Sequence, residues 1–329
     1  MPAATIDHYN MVLAGMTRGQ VVPFLGAGVN LCERPAGTPW EAGREFLPNA
    51  EELSKHLARE LPVPLEDVGN LNRVCEYAAV IGPGIGPLYF QLRRVFDADY
   101  APTAVHRFLA ALPKELRRRG YGNPRDKPKG WELLVVTTNY DDLLEQEFRA
   151  AKEPFDLVSY SVPDAGFMHY PPDGEPRLIN EPNTYAEVSL NKRAVILKLH
   201  GMVDRRSRER DSFVITEEDY IDYLARSDVS KLIPSVIMQE LQESHLLFLG
   251  YSLRDWNLRV IFRRIWGLQA FVHQQWKPWA IQKNLEKLEQ KLWENRGVDI
   301  IDQDLAEYVR GLQEGLDRLG ARAETKAVP

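Results

Sequence analysis

Cysteine is scarce in this chain. Its 329 residues include only Cys32 and Cys75, and these do not form a Cys-x-x-Cys pair. A framework of several disulfides and a zinc site of four thiolates are both excluded within one chain, because each needs more thiols than these two. The sequence therefore predicts a protein of a reducing compartment that carries no zinc module.

Long hydrophobic runs and excess positive charge are missing as well. No segment approaches the ~20 apolar residues of a membrane-spanning helix, and residues 1–10 lack the features of a signal peptide. We therefore expect a cytoplasmic protein that does not contact membranes. The 41 Lys and Arg against 47 Asp and Glu give a net charge of −6, which offers no electrostatic reason to bind nucleic acid. The seven histidines show no metal-ligand spacing, so no metal site is predicted.

What is present is an ordinary globular composition, with 44% hydrophobic and 27% charged residues. The length allows about two ordinary domains or one large α/β domain. Helical patterns separate the apolar runs that are typical of buried strands, so we predict an α/β fold with a parallel sheet flanked by helices. The predicted strands are Val21–Leu25, Leu133–Thr137, Ala194–Leu199, Leu246–Leu249, Trp276–Gln282 and Val298–Ile301.

Helical periodicity dominates the region between the first two predicted strands. It runs from about residue 41 to 129, and we interpret it as a helical insertion after the first strand. Residues 160–193 are rich in Pro and Asn and fit no clear element, so we expect a loop or hairpin at the rim of a cleft. These patterns predict one catalytic domain over residues 1–285 and a charged helical segment over residues 286–329.

Glycines follow the first predicted strand, in Gly26-Ala27-Gly28. Two glycines at a strand end let the backbone approach a phosphate group, whose charge peptide N–H groups then meet. The third glycine of the G-x-G-x-x-G fingerprint is missing, since Leu31 stands in its place. A tight structural turn explains the same residues equally well.

Polar residues follow the second predicted strand, in Thr138-Asn139-Tyr140-Asp141. Asn and Asp commonly cap helices, which is the structural interpretation of this segment. The functional interpretation is that the Asn139 amide holds a water or a ribose hydroxyl, while Asp141 accepts a hydrogen bond from a carboxamide. Because the carboxyl ends of parallel strands share one edge of a sheet, we expect these residues to lie near the glycine turn.

His200 and Gly201 end the third buried strand. A single histidine at a strand end is often only structural, but an imidazole at the edge of a cleft is chemically suited to act as a general base. The fourth strand ends at Gly250, and the Ser252 and Asp255 that follow could bind sugar hydroxyls or cap the next helix.

Taken together and in order, Gly-Ala-Gly-Val-Asn, Thr-Thr-Asn-Tyr-Asp, Lys-Leu-His-Gly and Phe-Leu-Gly-Tyr-Ser resemble the sirtuin superfamily, especially its bacterial branch used in antiphage defence. The resemblance spans about residues 20–265. It implies a Rossmann-like NAD-binding domain and cleavage of the nicotinamide glycosidic bond, with Asn139 and His200 as catalytic residues. The NAD-binding residues that it implies are Gly26, Ala27, Gly28, Asn30, Thr138, Asp141, Gly250, Ser252 and Asp255.

Two features of deacetylating sirtuins have no counterpart here. No cysteine follows Cys75, so their four-cysteine zinc module is missing, and Pro35-Ala36-Gly37-Thr38-Pro39-Trp40 replaces their Gly-x-Pro-Asp-Phe-Arg loop. Both differences favour water as the acceptor, and thus an NAD hydrolase that yields nicotinamide and ADP-ribose. The family also implies control by a homo-oligomer or by a separate activating protein such as a ring-shaped ATPase.

Three other activities remain open at this point. Protein deacylation or ADP-ribosyl transfer would make NAD loss depend on an acceptor protein. A non-catalytic module would bind NAD or ADP-ribose and leave it intact. A redox dehydrogenase is disfavoured by the incomplete glycine fingerprint.

Overall fold

The structure is a computed structural model, and it describes residues 3–63, 68–121, 132–225, 232–251 and 277–325. Ten α-helices and eleven strands lie within these ranges. The helices are α1 (Ala3–Thr17), α2 (Ala50–Glu60), α3 (Leu71–Ile81), α4 (Gly86–Phe96), α5 (Ala104–Arg118), α6 (Leu143–Ala150), α7 (Glu217–Ala225), α8 (Ser235–Gln242), α9 (Lys287–Glu294) and α10 (Leu305–Thr325).

The strands are β1 (Val21–Leu25), β2 (Leu134–Thr137), β3 (Phe155–Ser161), β4 (Gly166–Tyr170), β5 (Arg177–Leu178), β6 (Ala194–Lys198), β7 (Gly201–Met202), β8 (Ser212–Phe213), β9 (His245–Leu249), β10 (Trp279–Gln282) and β11 (Asp299–Asp302). Nine of them form one sheet in the order β11-β10-β9-β1-β2-β6-β3-β4-β5, and β7 and β8 form a separate antiparallel pair. The pairings from β11 to β3 are parallel, while β3-β4-β5 is antiparallel.

Both faces of the sheet are covered, which explains why its central strands are mostly apolar. Val22 and Phe24 of β1 pack into one hydrophobic cluster, and Val21 and Leu25 pack into another. Alternating side chains of a strand point to opposite faces, so a strand covered on both faces is apolar along most of its length. The prediction of a Rossmann-like α/β fold with helices on the sheet is confirmed.

The helices between β1 and β2 form a third cluster. Leu57 of α2, Val74 of α3 and Leu92 of α4 pack there against Phe213 and Ile215, which follow β6 in the chain. The helical layer thus rests directly on the loops beyond the carboxyl ends of β2 and β6. The predicted bounds of the insertion, about 41–129, stay a prediction, since residues 122–131 lie outside the described ranges.

Residues 160–193 extend the sheet instead of forming only a loop. β3 begins at Phe155, before that segment, and pairs with β6 on one side and with β4 on the other. The expected hairpin is present, but the long strand that starts it was not predicted. Among the described helices, none is both long and apolar enough to cross a membrane.

Candidate active site

Four strands of the sheet end at one level. The register aligns Leu25 of β1 with Thr137 of β2 and with Leu249 of β9, and it aligns Thr137 with Lys198 of β6. The segments that follow these residues therefore leave the sheet side by side, as the carboxyl ends of parallel strands do in α/β proteins that bind ligands there. These segments carry the Gly-Ala-Gly turn, Asn139, His200 and Gly250.

The turns after β1 and β9 interlock through their backbones. Gly26 N–H donates to the Leu249 carbonyl at 3.0 Å, and Gly28 N–H donates to the Gly250 carbonyl at 2.7 Å. A Cβ on Gly28 would lie 2.6 Å from the oxygen of Gly250, and Gly250 itself has a φ of +63°. The close approach of the two turns therefore explains why glycines stand at these positions. The main-chain N–H groups of Gly26 and Gly28, which the sequence suggested for phosphate binding, already donate to carbonyls.

The residues after β2 pack against the same turn. Thr138 N–H donates to the Leu25 carbonyl at 3.3 Å, which extends the ladder beyond the strand. Asn139 N–H donates to Thr137 Oγ1 at 3.0 Å, and its side-chain Nδ2 donates to the Gly26 carbonyl at 3.3 Å. Asn139 is partly exposed, and its amide lies beside the glycine turn.

Asp141 is buried and bound on both of its carboxylate oxygens. Asn30 Nδ2 donates to Oδ2 at 2.8 Å, and Leu143 N–H donates to Oδ1 at 3.2 Å. The Oδ1 of Asn30 is also buried, and it has no hydrogen-bond partner among the described residues. A buried acceptor without a partner costs free energy, about 1–3 kcal/mol, that a donor on a ligand would recover. Asn30 and Asp141 therefore form one side of the candidate site.

Lys198 joins these loops, although sequence reasoning did not select it. Its ammonium group is buried, donates to the main-chain carbonyl of Asp141 and lies 2.8 Å from Glu145 Oε1. Burial raises the pKa of Glu145, and the positive charge of Lys198 opposes that rise. A charged residue inside an otherwise apolar strand was the signal that could have identified Lys198, since lysine is almost never fully buried unless it is paired.

The imidazole of His200 is buried beyond the end of β6. Only 3% of the residue is exposed, and burial lowers its pKa to about 3, so the ring is neutral near pH 7. Its Nδ1 lies 3.4 Å from the hydroxyl of Tyr220, while Nε2 has no hydrogen-bond partner within the described part of the chain. A neutral imidazole with one engaged nitrogen and one unengaged nitrogen is suited to form a hydrogen bond with a hydroxyl.

Gly201 shapes the turn that follows this histidine. Its φ is +82°, and a Cβ there would lie 2.1 Å from the Ser212 carbonyl oxygen. The β7-β8 pair can therefore fold back closely, and Val214 N–H reaches the carbonyl of His200 at 2.9 Å. The strand-end histidine is thereby held on its main chain as well as on its ring.

Of the residues proposed from the sequence, the structure brings the turn at Gly26–Gly28, Asn30, Asn139 and Asp141 into direct contact. His200 follows the adjacent strand. Ser252 and Asp255 lie outside the described residues. No group of His, Cys, Asp and Glu suited to a metal ion is found among the residues that the structure describes.

A separate cleft of about 530 Å³ opens between α6 and the β3-β4 edge. Glu145, Tyr170 and Arg205 line it, but neither Asn139 nor His200 does. The cleft is therefore distinct from the site at the strand ends.

Comparison with known proteins adds a family to this geometry. A family model described as a SIR2-like domain matches residues 133–301, more than half of the chain. The chain is also similar to Defense-associated sirtuin 2 of Bacillus subtilis, with 25% identity over 174 residues. The alignment covers 51% of this chain and 14% of that relative, so the chain spans only a small part of the relative's length. Asn139, His200 and Gly250 lie inside the matched range, whereas the Gly-Ala-Gly turn precedes it.

Proposed function

The chain belongs to the SIR2-like family, and from this premise we propose that it hydrolyses NAD to nicotinamide and ADP-ribose. SIR2-like domains use NAD, and the polar groups at the strand ends suit that ligand. The observation that carries the proposal is the buried Nε2 of His200, which has no hydrogen-bond partner in the described residues. His200 follows β6, and Asn139 follows the neighbouring strand β2.

In the proposed mechanism, the protein mainly orients NAD and supplies a nucleophile. Nicotinamide is a good leaving group because it departs neutral from a cation, while positive charge develops on the ribose. The amide of Asn139 holds the attacking water or a ribose hydroxyl, and Nε2 of His200 takes a proton from one of them. Gly26, Ala27, Gly28 and Thr138 form the floor beneath the dinucleotide.

The carboxamide of nicotinamide is proposed to bind at Asn30 and Asp141. Its NH2 group can donate to the unpartnered Oδ1 of Asn30 and to a remaining lone pair of the Asp141 carboxylate. Gly250, Ser252 and Asp255 are proposed to hold the adenosine side. No metal takes part in this scheme, because departure of nicotinamide needs no Lewis acid.

Chromatography of the products formed from NAD tests the proposal. The wild-type chain should release nicotinamide and ADP-ribose, and Asn139→Ala and His200→Ala should each lose turnover while keeping the wild-type circular dichroism spectrum. Asn191→Ala and His56→Ala are matched controls, since they remove an amide and an imidazole outside the site and should keep full activity. Full activity in both site variants would refute the assignment.

The same measurement separates the other activities. A deacylase or ADP-ribosyltransferase would consume NAD only when an acylated or acceptor protein is added. A binding module would leave NAD unchanged while retaining it tightly. The missing zinc module and the altered loop at residues 35–40 are why we favour hydrolysis.

The name of the relative, which says that it is defence-associated, suggests the biological role. We propose that this chain depletes cytoplasmic NAD during infection, and that a homo-oligomer or an activating protein such as a ring-shaped ATPase controls it. Cells that express the wild-type chain should lose NAD and block phage growth on infection, whereas cells with Asn139→Ala should do neither. If phage growth is blocked while cellular NAD stays constant, defence does not depend on NAD hydrolysis.

A further inference from the structure

Lys198, the last residue of β6, extends its side chain to the loop that follows β2. Its ammonium group donates to the main-chain carbonyl of Asp141 and, at 2.8 Å, to Oε1 of Glu145, and only 1% of the residue is exposed. Because Lys198 precedes His200 by two residues, this side chain links the strand that leads to the imidazole with the loop that carries Asp141. Glu145 alone already pairs the charge of the ammonium group, so the bond to the carbonyl needs a separate explanation.

Asp141 in turn sets the orientation of the Asn30 amide. A carboxylate oxygen accepts hydrogen bonds and cannot donate them, so the NH2 end of the amide faces Asp141, with Nδ2 2.8 Å from Oδ2. The other end of the amide, Oδ1, is buried and has no hydrogen-bond partner among the described residues. The position of this acceptor therefore depends on where Asp141 is held, and Lys198 holds the main chain of Asp141.

We propose that Lys198 is a positioning residue that, through the Asp141 carbonyl, places Asn30 Oδ1 where the NH2 group of a nicotinamide carboxamide donates to it. This inference deepens the proposed function and rests on it for the identity of the ligand. Lys198 itself touches no ligand in this scheme, because it acts only through Asp141 and Asn30. A donor at Oδ1 would recover the free energy that a buried acceptor without a partner costs.

A positioning role and a purely structural role of Lys198 change different kinetic constants. A displaced Asn30 weakens carboxamide binding in the ground state and in the transition state alike, which raises KM and leaves kcat nearly unchanged. A loss of stability instead lowers the fraction of folded chain. The measured turnover then falls, while the molecules that remain folded keep the wild-type KM.

The double variant Lys198→Met/Glu145→Leu tests the proposal in the full chain. It removes both charges of the pair, so the net charge is unchanged and no buried charge is left without its partner. We expect KM for NAD to rise at least about tenfold, with kcat changed by less than about twofold. A wild-type KM would overturn the inference. If this variant does not keep the wild-type circular dichroism spectrum, Lys198→Met/Glu145→Gln replaces it, with the same expected result.

Arg117→Met/Glu132→Leu is the matched control. It removes an ion pair with a distance of 3.1 Å that lies before the amino end of β2, at the opposite edge of the sheet from the site. Its KM for NAD should equal that of the wild type. A rise in KM as large as that of the Lys198 double variant would mean that any lost ion pair disturbs the site, which would also overturn the inference.

The deamido form of NAD gives a second measurement. It carries a carboxylate in place of the carboxamide, so it has no NH2 group to donate to Asn30 Oδ1, and it meets the Asp141 carboxylate with a like charge. The wild-type chain should prefer NAD at least about a hundredfold in kcat/KM. The Lys198 double variant should narrow that ratio at least about tenfold, because it weakens the binding of NAD alone. An unchanged ratio would contradict the positioning role.

Calorimetry separates this inference from the proposed function, since dissociation constants replace KM if the chain leaves NAD intact. A wild-type chain that binds NAD without cleaving it, and a double variant that binds NAD at least about tenfold more weakly, would refute hydrolysis and keep the inference. A chain that hydrolyses NAD with the same KM in the wild type and the double variant would do the reverse. A wild-type chain that does not bind NAD would refute both.

Discussion

Replacing Gly250 with alanine tests whether the interlocked turns after β1 and β9 hold the site together. Gly250 has a φ of +63°, a conformation that costs an L-residue about 1–2 kcal/mol. The added Cβ would lie 2.2 Å from the nitrogen of Val29 and 2.6 Å from the carbonyl carbon of Gly28. Both contacts are to backbone, so the two turns must move apart, and such overpacking typically costs about 1–3 kcal/mol.

The sum is a loss of about 2–5 kcal/mol in the free energy of unfolding, a large part of the ~5–15 kcal/mol that native proteins have. Gly120→Ala is the control, because Gly120 has a φ of +78° but no atom of the described residues lies within 4 Å of an added Cβ. Gly120→Ala should therefore lose only the about 1–2 kcal/mol that the positive φ costs. Urea unfolding of both variants measures the difference.

Binding provides the second measurement. Separation of the turns would move the Gly26 carbonyl that holds Asn139, so Gly250→Ala should bind NAD at least about tenfold more weakly in calorimetry, a loss of about 1.4 kcal/mol. Gly120→Ala should bind as the wild type does. Equal unfolding free energies in the two variants would refute the claim that these turns are in steric contact.

Two further measurements test buried ionisable side chains. Burial lowers the pKa of His200 to about 3 and of His106 and His8 to about 4, so below pH 6.5 the unfolded chain binds protons that the folded chain does not. The free energy of unfolding should then fall by about 2 kcal/mol between pH 7.5 and pH 6.0, and a flat profile would contradict this. Lys198→Met leaves Glu145 buried without its cation, so urea unfolding should show a loss of about 3–5 kcal/mol. The double variant with Glu145→Leu should recover part of that loss, and no recovery would argue against the ion pair.

The positions of the main strands could be predicted because each is a short apolar run with a polar or glycine-rich end. The carboxyl ends of parallel strands share one edge, so Gly26, Asn139, His200 and Gly250 could be expected there from order alone. β3 was not predicted, because Asp156 and Ser159 interrupt its apolar pattern. Asp156 is buried in β3, where its Oδ1 lies 2.9 Å from Nε2 of His169. No local pattern in the sequence reveals this partner.

The contacts that give the site its chemistry come from elements distant in sequence, which is why they could not be predicted. Tyr140 appears in the sequence only as the residue between Asn139 and Asp141. Its contact depends on the turn at Gly201, because the chain that folds back after this turn brings the Val214 carbonyl to the phenol of Tyr140 and the Val214 N–H to the His200 carbonyl. One backbone residue thereby connects the loops after β2 and β6. A ligand that moved either loop would change the hydrogen bonds of both, so the amide and the imidazole should respond to NAD together.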